Sequence, residues 1–206
     1  MRVGIIGTGD LARTLAHRLV RAGHEVAVAA VGGELPPTEL TSGTGVRTTT
    51  LEEAVADAEV VVLAIPFRRH TELPPDLFHG KVVVDATDYY PDRDGPIAEL
   101  DQRRMSSSEL LARHLDGARV VKALNTTRFL APTSAGIFAD DLTPVAIPVA
   151  GDDEHAKSTV VALLLDLGYQ PVEAGRLADS WRMEPGTPVH GLVSNAVAVR
   201  LALKAA

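Results

Sequence analysis

Arg2-Val3-Gly4-Ile5-Ile6-Gly7-Thr8-Gly9-Asp10-Leu11-Ala12 opens the chain with an apolar run, a glycine turn and the start of a helical pattern carried on by Leu15 and Leu19. Such a run followed by G-x-G-x-x-A reads as a strand, a phosphate loop and a helix N-terminus. The first glycine permits the tight turn, and the second lets backbone approach a pyrophosphate. The small third residue keeps helix and strand close. Gly7, Thr8, Gly9, Asp10 and Leu11 are therefore candidate dinucleotide contacts. The diphosphate would rest on the free N–H groups and the positive dipole end of the new helix. Glycines that only make a tight strand-to-helix turn are the alternative reading.

Working outward, short apolar segments alternate with helical ones, the pattern of βαβ units around a parallel sheet. Strands are expected near 3–6, 25–29, 46–48, 60–65, 81–85, 119–122, 145–149 and 170–173. Val60-Val61-Val62-Leu63-Ala64-Ile65 and Val82-Val83-Val84 do not alternate with polar residues, as suits central strands buried on two faces. Thr50 before Leu51, and Ser106 with Glu109, mark helix starts; the second pair fits a capping box. Asp152 and Asp153 suit the positive end of a helix that Gly168 stops. Thr187 with Pro188 predicts the start of a last helix. Its stripe Leu192, Ala196, Val199, Leu203 has an apolar neighbour in Val193, Val197 and Leu201. So wide an apolar surface needs cover from two directions, which predicts a homodimer contact there or packing back on the chain's own sheet. Two Gly/Pro-rich loops, 31–45 and 88–96, separate these units.

Composition narrows the classes. The 206 residues suit one sizeable α/β domain with a small C-terminal addition, and 46% hydrophobic residues suffice for a packed core. With 20 Lys+Arg against 27 Asp+Glu and no long basic block, no electrostatic footprint for nucleic acid exists. The absence of cysteine excludes disulfides, thiolate metal sites and thiol nucleophiles. No run approaches the ~20 apolar residues of a membrane span, and no metal site is expected. A cytoplasmic enzyme or binding protein acting on a small molecule is the expectation.

Val120-Val121-Lys122-Ala123-Leu124-Asn125-Thr126 resembles the VVKAFNT segment of the deazaflavin-dependent NADP oxidoreductases, which pass hydride between NADP(H) and coenzyme F420. Leu63-Ala64-Ile65-Pro66-Phe67, Gly80-Lys81-Val82-Val83-Val84-Asp85-Ala86-Thr87 and Pro148-Val149-Ala150-Gly151-Asp152-Asp153 are similar to that family in the same order. The resemblance implies an α/β fold: a Rossmann-type doubly wound, mostly parallel sheet over residues 1–185, with a C-terminal helical extension over 186–206. It places Ala64, Ile65 and Pro66 beside the nicotinamide ribose, and Ala86, Thr87 and Asn125 at the edge of the reaction pocket. Hydride transfer between two planar rings needs alignment more than side-chain chemistry, so no catalytic acid or base is named. Thr8 and Asn125 are the polar groups expected to touch the rings. Lys122 would either reach an anion across the pocket or snorkel to solvent.

The chain departs from the family at three places. After the second strand stands Ala29-Ala30-Val31-Gly32-Gly33 in place of ribose-reading residues, and no Lys or Arg occurs from Val31 to Val46. NADP and NAD both stay open as cofactors; Glu34 would accept from a ribose hydroxyl. No crossover helix is expected through the prolines and glycines of that segment. Asp88-Tyr89-Tyr90 replaces the family's Asn-Pro and would recognise a different substrate or supply a proton to a carbonyl, two loop aromatics being the plainer account. Arg68 and Arg69 follow the Pro66 turn, where they would meet the anionic tail of a deazaflavin or form a solvated face. Arg68, Arg69, Tyr89 and Lys122 are thus the second-substrate candidates.

Two further readings share the scaffold. One is a nicotinamide-dependent reductase of a small imine or carbonyl; β-hydroxyacid dehydrogenase relatives place an acid/base Lys four residues before an Asn, and here Gly191 precedes Asn195. The other is a nucleotide-binding accessory or sensor protein without redox turnover. Metal-reducing relatives of this domain rely on a membrane portion, for which the 206 residues offer no segment.

Overall fold

Eight strands form one sheet in the computed structural model, which describes residues 1–33, 45–126 and 144–206. They are β1 (Arg2–Ile6), β2 (Glu25–Ala29), β3 (Arg47–Thr48), β4 (Val60–Leu63), β5 (Val82–Asp85), β6 (Arg119–Lys122), β7 (Ala146–Gly151) and β8 (Gln170–Gly175). Their order is β3-β2-β1-β4-β5-β6-β7-β8, parallel throughout except for the antiparallel step from β6 to β7. The chain therefore winds outward in one direction from β1 and then in the other from β4. This is the doubly wound Rossmann-type arrangement, whose ligand crevice opens where the direction reverses.

The helices follow from the caps. α1 (Asp10–Arg21) buries Ala12, Leu15, Ala16 and Leu19 against the sheet. Thr50 accepts from the Glu53 amide to start α2 (Leu51–Ala56). A one-turn helix, α3 (Pro91–Asp94), lies within the 88–96 stretch expected as a loop, and a second, α4 (Ala98–Asp101), follows it. Ser106 and Glu109 complete the expected capping box of α5 (Ser107–His114), and Asp153 accepts from the Ala156 amide to cap α6 (Glu154–Asp166).

The non-alternating strands are buried on both faces. Val60, Val62, Val82 and Val84 meet Leu15, Leu19 and α6, while Val61, Leu63 and Val83 meet Leu51, Phe67, Phe78 and Leu111. At the far edge, β7 and β8 are covered by α7 (Ala196–Ala205) through Ala196, Val199 and Leu203.

That last helix starts later than its sequence suggests. Thr187 donates its hydroxyl to the carbonyls of Arg182 and Glu184, so it caps no helix. Gly191, at φ +76°, turns the chain, and Asn195 accepts from the Val197 and Ala198 amides instead. The first apolar stripe packs inward, whereas Val197 and Leu201 are each 63% exposed. Glu34 and most of the loop without a crossover helix lie outside the described residues.

Candidate functional site

Three hydrogen bonds stitch the ends of β2, β1, β4 and β5 together at the crevice. Gly7 N–H donates to Ala29 O at 2.8 Å, Ala64 N–H to Ile6 O at 2.8 Å, and Ala86 N–H to Leu63 O at 3.1 Å. Gly7 has φ +138°, and a Cβ there would stand 2.2 Å from Ala64 O, so only glycine lets the first loop pass this closely over β4. Gly9 differs: a Cβ built on it meets nothing within 4 Å. It is the N-cap of α1 and brings no side chain to the first turn, leaving the leading N–H groups of a 12-residue helix to face the crevice.

Gly7, Thr8, Gly9, Asp10, Leu11, Ala64, Ile65, Pro66, Ala86 and Thr87 all line one cleft of about 490 Å³, joined there by Ala30, Val31, Arg69, Asp88 and Arg93. The open space above Gly9, bare helix amides and apolar walls fit a dinucleotide diphosphate with flat rings to either side. Asn125 is the exception among the expected cofactor contacts. It is buried behind the wall, its Nδ2 donating to Met183 O at 2.7 Å and to Asp88 Oδ1 at 3.0 Å, with Oδ1 unpaired.

Lys122 does reach an anion, the Asp85 carboxylate, but not as a second-substrate contact and not by snorkelling to solvent: it is wholly buried, lies outside the cleft lining, and donates to Asp85 Oδ2 at 3.1 Å and Thr87 O at 2.6 Å. Asp85 further accepts from the Thr87 amide (2.9 Å) and hydroxyl (2.6 Å) and from Ser108 Oγ (2.7 Å). Burial pushes the Asp85 carboxyl up, but the Lys122 charge and these hydrogen bonds outweigh it and hold the group below its ordinary range. The network fixes the turn from β5 into the cleft wall.

Among the other second-substrate candidates, Tyr89 spends its hydroxyl on Asp101 (2.8 Å), Gly95 O (3.1 Å) and the Ile97 amide (2.9 Å). Burial, and then the Asp101 carboxylate, push its phenol pKa up. Its hydroxyl thus serves the loop, and the residue lines a second cavity of about 610 Å³ with Tyr90, Arg103, Trp181 and Glu184. Arg68 lies outside the cleft lining, its backbone N–H on Asp94 Oδ1 at 3.2 Å. Arg69 does line the cleft, at the end of β2.

One grouping has no local signal in the sequence. His190 Nε2 stands 3.3 Å from Asp88 Oδ2 and 3.4 Å from the Tyr90 hydroxyl, across some hundred residues of chain. Asp88 borders the dinucleotide cleft and Tyr90 the second cavity, so His190 links the two. Arg93 covers the Tyr90 ring at 4.9 Å and donates to Asp88 O. Among the described residues, no group of three His, Cys, Asp or Glu side chains could hold a metal ion, and no helix is long and apolar enough to cross a membrane.

The resemblance read from the sequence is borne out by comparison with known proteins. Residues 2–89 match the family described as NADP oxidoreductase, coenzyme F420-dependent. The chain is 36% identical over 208 residues to Metalloreductase STEAP3 of Rattus norvegicus, covering 98% of this chain and 39% of that protein. It thus spans about two fifths of the length of this curated relative. A hypothetical protein from Sinorhizobium meliloti superposes with a TM-score of 0.75 at 28% identity over 95% of both chains. A protein from Arthrobacter sp. FB24 assigned as an F420-dependent NADP reductase does so at 0.69 and 25%, over 88% of this chain and 87% of that one. Together these likenesses agree with the Rossmann-type, dinucleotide-binding architecture described above.

Proposed function

We propose, with the family match over residues 2–89 as premise, that the cleft binds a nicotinamide dinucleotide, NADP or NAD, and that the chain passes hydride between it and a deazaflavin of the coenzyme F420 type. The observation that carries the dinucleotide part is Gly9, a bare N-cap under open space at the head of α1. When bound, the dinucleotide supplies or accepts the hydride at its nicotinamide ring. The amides of Gly9 and the first turn of α1 hold the diphosphate, and Thr8 lies beside it. Ile65 and Pro66 wall the ribose, and Ala86 with Thr87 closes the reaction end, held there by Asp85 and Lys122. Such walls exclude water and fix two flat rings in register, which is the acceleration this chemistry needs.

The test follows the deazaflavin absorbance while NADPH, then NADH, is supplied. Turnover supports the reading. Nucleotide binding without turnover on any acceptor would leave the sensor reading instead.

A second reading is favoured by one specific grouping, Asp88–His190–Tyr90 beside the cleft. A carbonyl or imine takes up a proton together with its hydride, and this trio stands where such a proton would be wanted. We also propose a division of the chain at residues 185/186, a cytoplasmic location, and a homodimer joined across the exposed Val197 and Leu201.

A further inference from the structure

The ribose end of the cleft holds a cation that comes from elsewhere in the chain. No Lys or Arg stands between Ala30 and Val46, so the segment that ordinarily supplies a cation for a phosphate at the end of β2 has none in its sequence. Arg69 arrives from the 3-10 helical segment Phe67–Glu72, which follows β4. Its Nη2 donates to Val31 O at 3.2 Å, and a Cβ built on Gly32 would lie 3.3 Å from the same nitrogen. The guanidinium therefore lies across the turn that ends β2, on the wall of the same cleft as Gly7 and Gly9.

Glu72 holds Arg69 from its outer side, with Oε1 2.9 Å from Nε and Oε2 2.7 Å from Nη2. The two side chains are 35% and 44% exposed. Water screens the Arg69–Glu72 pair, so this contact is weak and a doubly charged anion competes with the carboxylate for the guanidinium. A phosphate monoester is that anion: it carries nearly two charges and presents oxygens that match the planar fork. The other arginine of the cleft, Arg93, is committed to Asp94 at 2.8 Å and to Asp88 O at the reaction end.

We propose that Arg69 reads the adenosine 2′-phosphate, exchanging Glu72 for it, so that this chain selects NADP(H) over NAD(H) with an arginine delivered from the β4 side. The proposal rests on the cleft being a dinucleotide site. Calorimetric titration of the whole chain with NADP+ and NAD+ tests the two separately, since binding of either nucleotide answers for the cleft and only their ratio answers for Arg69. The wild type is expected to favour NADP+. Arg69→Ala should weaken NADP+ on the order of 10- to 100-fold while leaving NAD+ within about twofold. Glu72→Gln should tighten NADP+ and leave NAD+ unchanged. Equal or tighter binding of NAD+ by the wild type would overturn the assignment, as would equal weakening of both nucleotides in Arg69→Ala at an unchanged melting temperature.

Discussion

Lys122 Nζ and Asp85 Oδ2 lie 3.1 Å apart with neither side chain exposed to solvent, and the same ammonium grips the Thr87 carbonyl at 2.6 Å. An ion pair so placed gains little net free energy over an apolar pair of the same size, because both charges have left water. Its effect is positional. It ties the end of β6 to the turn after β5, which forms one wall of the cleft.

Removing one partner strands the other. Lys122→Met leaves a buried carboxylate with only hydroxyl and amide donors, and should cost about 3–5 kcal/mol in urea unfolding. The double variant Asp85→Asn/Lys122→Met should lose less than the sum of the single losses, since residues in contact do not add. Additive losses would mean that the two charges act independently.

Acid should act through the same pair. Asp85 is held below its ordinary value of 3.8, so its share of stability is present above that pH and is lost as pH falls through the lower folded-state value. Circular dichroism against pH should therefore show the Asp85-dependent loss of structure beginning only below about 4. In Lys122→Met, with the main stabilising charge gone, that limb should move to higher pH.

The two loop glycines should respond in opposite ways. Gly7→Ala drives a Cβ to 2.2 Å from Ala64 O at φ +138°, so it should lower stability by several kcal/mol. Gly9→Val meets no protein atom near its Cβ and should fold with its melting temperature changed by little. It should nevertheless lose dinucleotide binding on the order of tenfold or more, because its side chain takes the space a diphosphate would use. Thermal melting beside nucleotide titration distinguishes the two.

How much was readable in advance depends on how local each signal is. The apolar runs at Val60 and Val82 predict central strands because burial on both faces leaves no polar alternation, and Thr50, Ser106 and Asp153 predict helix starts because a cap is a short-range bond. The last helix starts later than Thr187 suggests because that hydroxyl has two uses, and it is the nearby carbonyls of Arg182 and Glu184, distant from any helix start, that claim it. Asn125 and Lys122 stand in the expected places on β6 and just after it, yet both act behind the cleft wall, since their partners Asp85, Asp88 and Met183 come from other elements. Arg69 at the end of β2, and His190 beside Asp88, are products of topology with no trace in local spacing.

His190 offers the means to separate the two enzymatic readings. Its ring meets Asp88, itself held by Asn125 Nδ2 at 3.0 Å, and the Tyr90 hydroxyl, with the Arg93 guanidinium over the tyrosine ring. Hydride transfer to a deazaflavin depends chiefly on alignment, so His190→Gln and Asp88→Asn should keep that turnover within about threefold. Reduction of a carbonyl or imine by the same cleft requires a proton on the heteroatom as the carbon takes the hydride. There both variants should lose about 10²–10⁴-fold in kcat, with nucleotide affinity little changed. Parallel assays of wild type and both variants against a deazaflavin, a cyclic imine and an aldehyde supply the comparison. A large loss confined to the imine or aldehyde would transfer the assignment from hydride exchange between cofactors to reduction of a small substrate, because only the latter needs a proton donor beside the cleft.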